Sequence, residues 1–273
     1  MVTTCSNSDE ELLRLLEEAL EETRGCIGED DARRLYECGL TGEGEVEVTV
    51  EGLRVTIPCA DLPEAWFNLS HVFCTRDYAR VEGFEPRPGW VVVDAGAYLG
   101  FYTLFAARRV GGEGLVVAVE PLEANRRYIE HNISVNGFED RVRVDPRALS
   151  DRRGYEYITV SCYPATSSLI EAHVVRLGGE ACGRRLVAVT TLPALIEEHG
   201  LSRVDLLKLD VEGVEDRVLS VSGWEEVVKR LVVEVHLDVT PLERVEAILE
   251  DRGFKTRVVK IGSDTQLMLY AWR

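Results

Sequence analysis

The chain has 273 residues, 45% of them hydrophobic, with 48 acidic against 31 basic side chains and a net charge of -17. That is enough apolar material for one large α/β domain with an extension, and the charge disfavours docking on nucleic acid or an anionic membrane. No run approaches the roughly 18 apolar residues of a membrane span, and the acidic start "MVTTCSNSDEELLRLLEEALEE" is unlike a signal peptide, so a cytoplasmic location is expected.

Residues 9 to 24 set Leu12, Leu13, Leu15, Leu16 and Leu20 among glutamates at helical spacing, with Ser8 and Glu11 in the pattern of a capping box. "GEVEVTVEGLRVTIP", residues 44 to 58, alternates valines with polar residues on both sides of Glu51-Gly52 and reads as a hairpin. Residues 1 to 80 are thus expected to form a small helix and hairpin cap, and residues 81 to 273 the main domain. After "EPRPGW", strands are expected at 90–94, 115–120, 142–146, 204–210 and 230–236. Helices are expected near 101–109, 122–136, 191–199, 213–221 and 241–252. This alternation is that of a mostly parallel, doubly wound sheet. The tail, with two short strands around "GSD", reads as a hairpin, and segment 151–190 breaks the rhythm with "YEYITVS" and "RLVAVTT" flanking an irregular "CYPATSSLI". The seven cysteines, at 5, 26, 38, 59, 74, 162 and 182, form no CxxC pair. They indicate neither a zinc site nor a full disulfide framework, so incidental thiols are expected, with a disulfide left open for a hyperthermophilic source.

The stretch "VVVDAGAYLG", residues 91 to 100, runs from a β-branched strand into a glycine turn at the start of a helix. Asp94, Gly96 and Gly100 form D-x-G-x-x-x-G at the carboxyl edge of a central strand, where open α/β sheets bind ligands. Glycines there let the backbone approach a ligand, and the helix start offers free N–H groups. The dinucleotide pattern G-x-G-x-x-G is absent, which disfavours a pyrophosphate and a nicotinamide-dependent oxidoreductase. The next strand ends in Glu120, placed to accept both hydrogen bonds from a ribose diol. S-adenosylmethionine satisfies both signals, with Asp94, Gly96, Ala97, Tyr98, Gly100, Glu120, Ala148 and Asp210 as cofactor-binding candidates. Tyr98 either stacks on the cofactor or plugs the pocket.

"VDLLKLDVEGVED" and "RLVVEVH" are the fourth and fifth strands. In equal register Lys208 lies opposite Glu234 as a structural ion pair, and Asp210 lies opposite His236 at the edge beside Asp94. Asp210, Glu212 and His236 are the catalytic candidates, with a neutral His236 imidazole as the leading base toward an acceptor hydroxyl. Glu212 and Glu215 alternatively cap a helix. No metal is assigned, although Asp210, Glu212 and His236 could instead hold Mg²⁺. His71, His131, His173 and His199 have no partners at useful spacing and default to surface or capping roles, and Ser167 and Ser168 either contact a ligand or cap turns.

In "VVVDAGAYLGFYT", "VVAVEPLEANRRYIEHNISVNG", "RALSDRRG", "SSL", "VTTLPALI", "LLKLDVEGVEDRVL" and "LVVEVH", the chain resembles the FkbM-type S-adenosylmethionine-dependent methyltransferases of the class I, Rossmann-like fold. The resemblance covers about residues 80 to 240. It implies a seven-stranded sheet in the order 3-2-1-4-5-7-6 with the last strand antiparallel, and O-methylation of a hydroxyl on a sugar or small molecule. It also implies cofactor roles for Asp94, Gly96, Gly100 and Glu120, and places Asp210, Glu212 and Glu215 in the signature. Tyr98 stands where the family commonly has Asn, and Pro193 replaces the usual acidic residue after "TL". RNA methylation and cofactor binding without catalysis are the alternatives, the first disfavoured by charge. A homo-oligomer stays open.

Overall fold

The computed structural model describes residues 9–162, 164–176, 181–262 and 265–273, so Cys5 and the capping candidate Ser8 lie outside the described residues. The chain opens with α1 (Asp9–Glu22), which buries Leu16 and Ala19 and leaves Leu13 and Leu20 partly exposed. A second helix, α2 (Glu29–Thr41), had no counterpart in the sequence reading. Its buried Ala32, Leu35 and Cys38 recur at helical spacing, three acidic residues start it and a left-handed Gly42 ends it. Strands β1 (Glu45–Val50) and β2 (Leu53–Pro58) pair antiparallel across Glu51 and Gly52, both at positive φ as a tight hairpin turn requires. Helix α3 (Glu64–Phe73), also absent from the sequence reading, buries Trp66, Leu69 and Phe73.

Then the α/β alternation begins: β3 (Val91–Ala95), α4 (Phe101–Val110), β4 (Leu115–Val119), α5 (Glu123–Val135) and β5 (Val142–Asp145). The irregular region holds β6 (Ala148–Leu149), β7 (Gly154–Ser161), α6 (Glu171–Arg176) and β8 (Ala181–Thr190). The chain returns through α7 (Leu192–Glu198), β9 (Leu206–Leu209), α8 (Glu215–Ser220), β10 (Arg230–His236) and α9 (Leu242–Asp251), and ends in the hairpin β11 (Lys255–Lys260) and β12 (Gln266–Trp272).

Seven strands form one sheet in the order β11-β12-β10-β9-β3-β4-β5, with β12 antiparallel to both neighbours. Read from β5, this is the order 3-2-1-4-5-7-6, so the doubly wound, Rossmann-like fold is observed. Strand residues alternate between two cores. Val92, Val116, Ala118, Leu206 and Val232 join the first, with α4 and α5, whereas Val93, Val117, Leu207 and Val233 join the second, with α7, α8 and α9. The N-terminal elements continue the first core, with Leu16, Trp66 and Phe73 in the same cluster as Leu104 and Phe105. Asn132 of α5 ties the layers together by accepting from the Thr56 N–H at 2.8 Å and donating to the Leu99 carbonyl at 3.1 Å. A smaller sheet, β6-β8-β7, stands beside the main one.

Two expectations change. Lys208 pairs in register with Val232, not with Glu234, so the fifth strand is displaced by two residues relative to the fourth. Pattern alone cannot reveal this, since a shift of two preserves every residue's face. The six cysteines among the described residues are also paired, as Cys26–Cys74, Cys38–Cys59 and Cys162–Cys182, with Cα separations of 5.5, 5.1 and 5.1 Å. The partners come from different elements, which spacing conceals. The first two bridges staple the N-terminal layer, and the third ties the end of β7 to the start of β8. The Cys26–Cys74 bridge spans 48 residues, and the loss of loop-closure entropy it imposes on the unfolded chain is about 4 kcal/mol. The Cys26→Ala/Cys74→Ala double variant is therefore expected to show a clearly lower urea midpoint than the oxidised parent; equal midpoints would contradict the bridge.

Candidate active site

The carboxyl edge where β3 and β9 meet is the point at which the strand order reverses, the position where a doubly wound sheet opens a crevice. Gly96 makes the tight turn there. It has φ +79°, and a Cβ would stand 1.7 Å from the Asp210 carbonyl oxygen, so any side chain would drive the two strand ends apart. Asp94 is fully buried and accepts from the Thr103 hydroxyl at 2.6 Å.

Beneath this turn lies Lys208. Its ammonium donates to the Gly96 carbonyl at 2.6 Å and lies 3.2 Å from Asp210 and 3.4 Å from Asp94. Burial would strip its charge, but the carboxylates of Asp210 and Asp94 hold it well above the usual lysine range. Its carboxylate partners are thus the two strand-end aspartates, not Glu234. Burial likewise opposes charge on Asp210, yet Lys208 and His236 keep its carboxyl below the ordinary value. Tyr78, from the segment after α3, reaches in with its hydroxyl 2.6 Å from Glu234 and 3.2 Å from Asp210. Burial and the charge of Asp210 push Glu234 up to about 8.

At the end of β4, Glu120 accepts from the N–H groups of Tyr98 at 3.0 Å and Leu122 at 2.9 Å and from the Asn125 amide at 3.2 Å. Burial pushes its carboxyl up to about 7 against those hydrogen bonds. The Tyr98 backbone is left-handed, at φ 50°, and its hydroxyl donates to Asp61 at 3.2 Å. That side chain packs toward the N-terminal layer, edge-on to Phe101, and neither stacks in the crevice nor plugs it.

The crevice is walled by Gly96, Glu120, Asn125, Ala148, Asp210 and Glu212, with Ile158 and Leu169 of the irregular region supplying apolar cover. Four of the cofactor-binding candidates, Gly96, Glu120, Ala148 and Asp210, line it; Asp94, Ala97, Tyr98 and Gly100 build the turn behind it. Ser167 also reaches the wall, whereas Ser168 caps, its hydroxyl accepting from the Ile170 N–H at 2.9 Å and donating to the Glu212 carbonyl. A broader groove of about 570 Å³ adjoins the crevice through Pro121, Leu122 and Asn125 and runs between Asp61 and Leu186.

His236 is fully buried behind Glu212 and Asp210 and does not line the crevice. Its Nδ1 lies 2.9 Å from Glu215, and its Nε2 lies 3.4 Å from Glu212 and 3.9 Å from Asp210. Burial opposes a charge on the ring, but Glu212 and Glu215 overcome it and raise its pKa well above the ordinary value. The neutral imidazole facing an acceptor, expected from the sequence, is not what this environment favours. Glu215 Oε1 accepts from the Gly213 N–H at 2.8 Å and lies 2.9 Å from His236 Nδ1, whereas its buried Oε2 makes no hydrogen bond. His173 belongs here too, buried in α6 between Glu212 at 2.8 Å and Asp238 at 2.9 Å, where a surface role had been expected. No spacing rule could find it, because its partners come from the segments after β9 and β10 through a fold-level contact. His199, with Asp145 at 2.9 Å, and His131, with Thr56 at 3.1 Å, sit apart from the crevice.

A family model for the methyltransferase FkbM domain matches residues 94–256. The 31-O-demethyl-FK506 methyltransferase FkbM of Streptomyces tacrolimicus is 31% identical over 241 residues, 75% of this chain and 89% of that protein. The methyltransferase sdnD of Sordaria araneosa is 30% identical over 231 residues, 75% and 88% of the respective chains. A solved FkbM methyltransferase from Methylobacillus flagellatus KT has a TM-score of 0.49 at 14% identity, covering 95% of this chain and 58% of that one.

The buried Glu120 supplies a test of the crevice's electrostatics. Its carboxyl is raised in the folded chain, so the folded state binds the proton more tightly and stability falls as pH rises from its ordinary value toward about 7. The unfolding free energy of the Glu120→Gln variant is therefore expected to fall less between about pH 5 and 7.5 than that of the parent. Parallel curves in ligand-free urea titrations would contradict the burial of this charge.

Proposed function

The chain belongs to the FkbM methyltransferase family, and on that premise we propose that it uses S-adenosylmethionine to methylate a hydroxyl of a small molecule or sugar. The observation that carries this reading is the crevice at the strand-order reversal, where Glu120 and Asp210 stand on either side of the Gly96 turn. The residues fit the donor. Glu120 is fixed by three hydrogen bonds yet lines the crevice, and its Oε2, which accepts only one of them, is left open to a ribose diol. Ile158 and Leu169 offer apolar cover for a base beside Ala148, and the acidic wall suits a ligand carrying a sulfonium and an ammonium group. When bound, S-adenosylmethionine supplies an electrophilic methyl group.

The acceptor hydroxyl must lose its proton as its oxygen forms the new bond. We assign that proton to the Asp210 carboxylate, which lines the crevice wall and is held in place by Lys208 and Tyr78. His236, enclosed behind Asp210, then positions the wall instead of taking the proton. The name of the Streptomyces relative describes methylation at an oxygen, which supports a hydroxyl acceptor. We read the broad groove beside Asp61 as the approach for that acceptor, with residues 1–80 as a substrate cap on a methyltransferase unit of residues 81–273. Nucleic acid stays outside this reading because the net charge is -17. Among the described residues no helix is long and apolar enough to cross a membrane. We keep a cytoplasmic location only for a host whose intracellular proteins hold disulfides, since these are rare in a reducing cytosol.

Calorimetric titration with S-adenosylmethionine tests the reading. Loss of the charged ribose contacts in Glu120→Ala is expected to weaken binding about 10- to 100-fold. Asp210→Asn is expected to slow methyl transfer to a responsive hydroxyl acceptor about 10²- to 10⁴-fold with donor binding largely retained. Undiminished turnover in Asp210→Asn would remove the assigned base, and no binding by the parent chain would remove the donor.

A further inference from the structure

We propose that His173, Glu212 and His236 form a binding site for a first-row transition-metal dication, with Zn²⁺ the ion that the ligand set favours. The two imidazoles stand nearly perpendicular, at 80° with centroids 4.8 Å apart, and both turn their Nε2 atoms toward one oxygen of Glu212. His173 Nε2 lies 2.8 Å from that Oε2 and His236 Nε2 lies 3.4 Å from it, and the three donor atoms all fall within 4.8 Å of one another. Ligands around a tetrahedral zinc at about 2.0 to 2.1 Å stand roughly 3.3 Å apart, so small side-chain shifts would close this set on an ion.

The surroundings of each ring support the assignment independently. His173 Nδ1 is held by Asp238 at 2.9 Å, and His236 Nδ1 by Glu215 at 2.9 Å. A carboxylate on the far nitrogen keeps a hydrogen there, so an ion that displaces the proton from Nε2 takes up its lone pair in the arrangement found behind ligating histidines. His236 Nε2 is fully buried and makes no hydrogen bond, so it aims an unused polar atom into the cluster. Charge points the same way. Four carboxyl groups, Glu212, Glu215, Asp238 and Asp210, lie within 4 Å of these two rings, and an ion that displaces the ring protons takes over the task of balancing that buried negative charge. Two imidazole nitrogens favour zinc-like ions over Mg²⁺, which prefers oxygen ligands and retained water.

The three ligands come from α6, from the turn after β9 and from the end of β10. An ion here would pin the irregular region to the rim of the crevice, beside Glu212, whose backbone is held at φ 55°. Asp210 Oδ1, 3.9 Å from His236 Nε2, faces the same space. The site goes beyond the methyl-donor reading, because its metal content is measured without any methyl transfer.

The test uses tag-free full-length protein, loaded with excess ZnCl₂, gel-filtered and assayed by mass spectrometry of its metals. About one zinc per chain is expected for the parent, and a small fraction of that for His173→Ala and Glu212→Gln. Asp238→Asn, which releases the far nitrogen of His173, is expected to weaken zinc about 10- to 100-fold. Glu120→Ala should keep its zinc while losing S-adenosylmethionine, which separates failure of this site from failure of the donor reading. Parent protein that retains no zinc overturns the proposal, as does full retention by the folded His173→Ala variant. Should that variant not fold, the Co²⁺-loaded parent decides. Intense visible bands of a low-coordinate site are expected, and the pale spectrum of hydrated Co²⁺ would overturn the assignment.

Discussion

A buried ammonium organises this protein. The side chain of Lys208 is only 4% exposed, yet it joins the ends of two strands by contacting Asp94 of β3, Asp210 after β9 and the carbonyl of Gly96 in the turn between β3 and α4. Each contact alone would be a poor bargain, since desolvating a charge costs several kcal/mol. Together they satisfy the donor and neutralise two carboxylates that hydrophobic packing would otherwise expel. The carboxyl edge of the sheet is left rigid, with the Asp210 carboxylate held in place. Breaking a buried pair of this kind costs about 3 to 5 kcal/mol, because the remaining charges stay uncompensated.

Around that centre the fold adds layers that reach the same edge. The N-terminal layer sends Tyr78 to Glu234 and Asp210, and Asp61 to Tyr98, so the residues before β3 support the back of the crevice as well as its approach. Burial pushes Asp61 up to about 6 and Glu64 up to about 7, which marks this face as one where charge is held away from water. From the opposite side, the irregular region brings Ile158, Leu169 and His173 over the rim, closed by the Cys162–Cys182 bridge. The methyltransferase core is thus clamped between two elements that the α/β alternation does not include.

What could be read from the sequence follows from which interactions are local. The strand after "EPRPGW", the glycine turn at Gly96 and the acid at Glu120 all declare themselves by period and position, because a parallel strand buried on both faces has little freedom in composition. The final hairpin was legible in the same way, whereas the strand order followed only from the family resemblance. The register of β10 was not, since a shift of two residues leaves every side chain on its face. Nor was the direction of Tyr98, which its left-handed backbone turns toward Asp61. His173 and the disulfides depend on contacts between distant segments. Asp210, Glu212 and His236 were brought together as expected, but with His236 behind the wall and not on it.

The central claim is that the edge organised by Lys208 holds a methyl donor between Glu120 and Asp210. A crystal structure of the protein with S-adenosylhomocysteine tests it most directly. The account predicts both ribose hydroxyls on the Glu120 carboxylate and the sulfur facing the Asp210 carboxylate. A ligand seated elsewhere, or one that leaves Glu120 without contact, would contradict it.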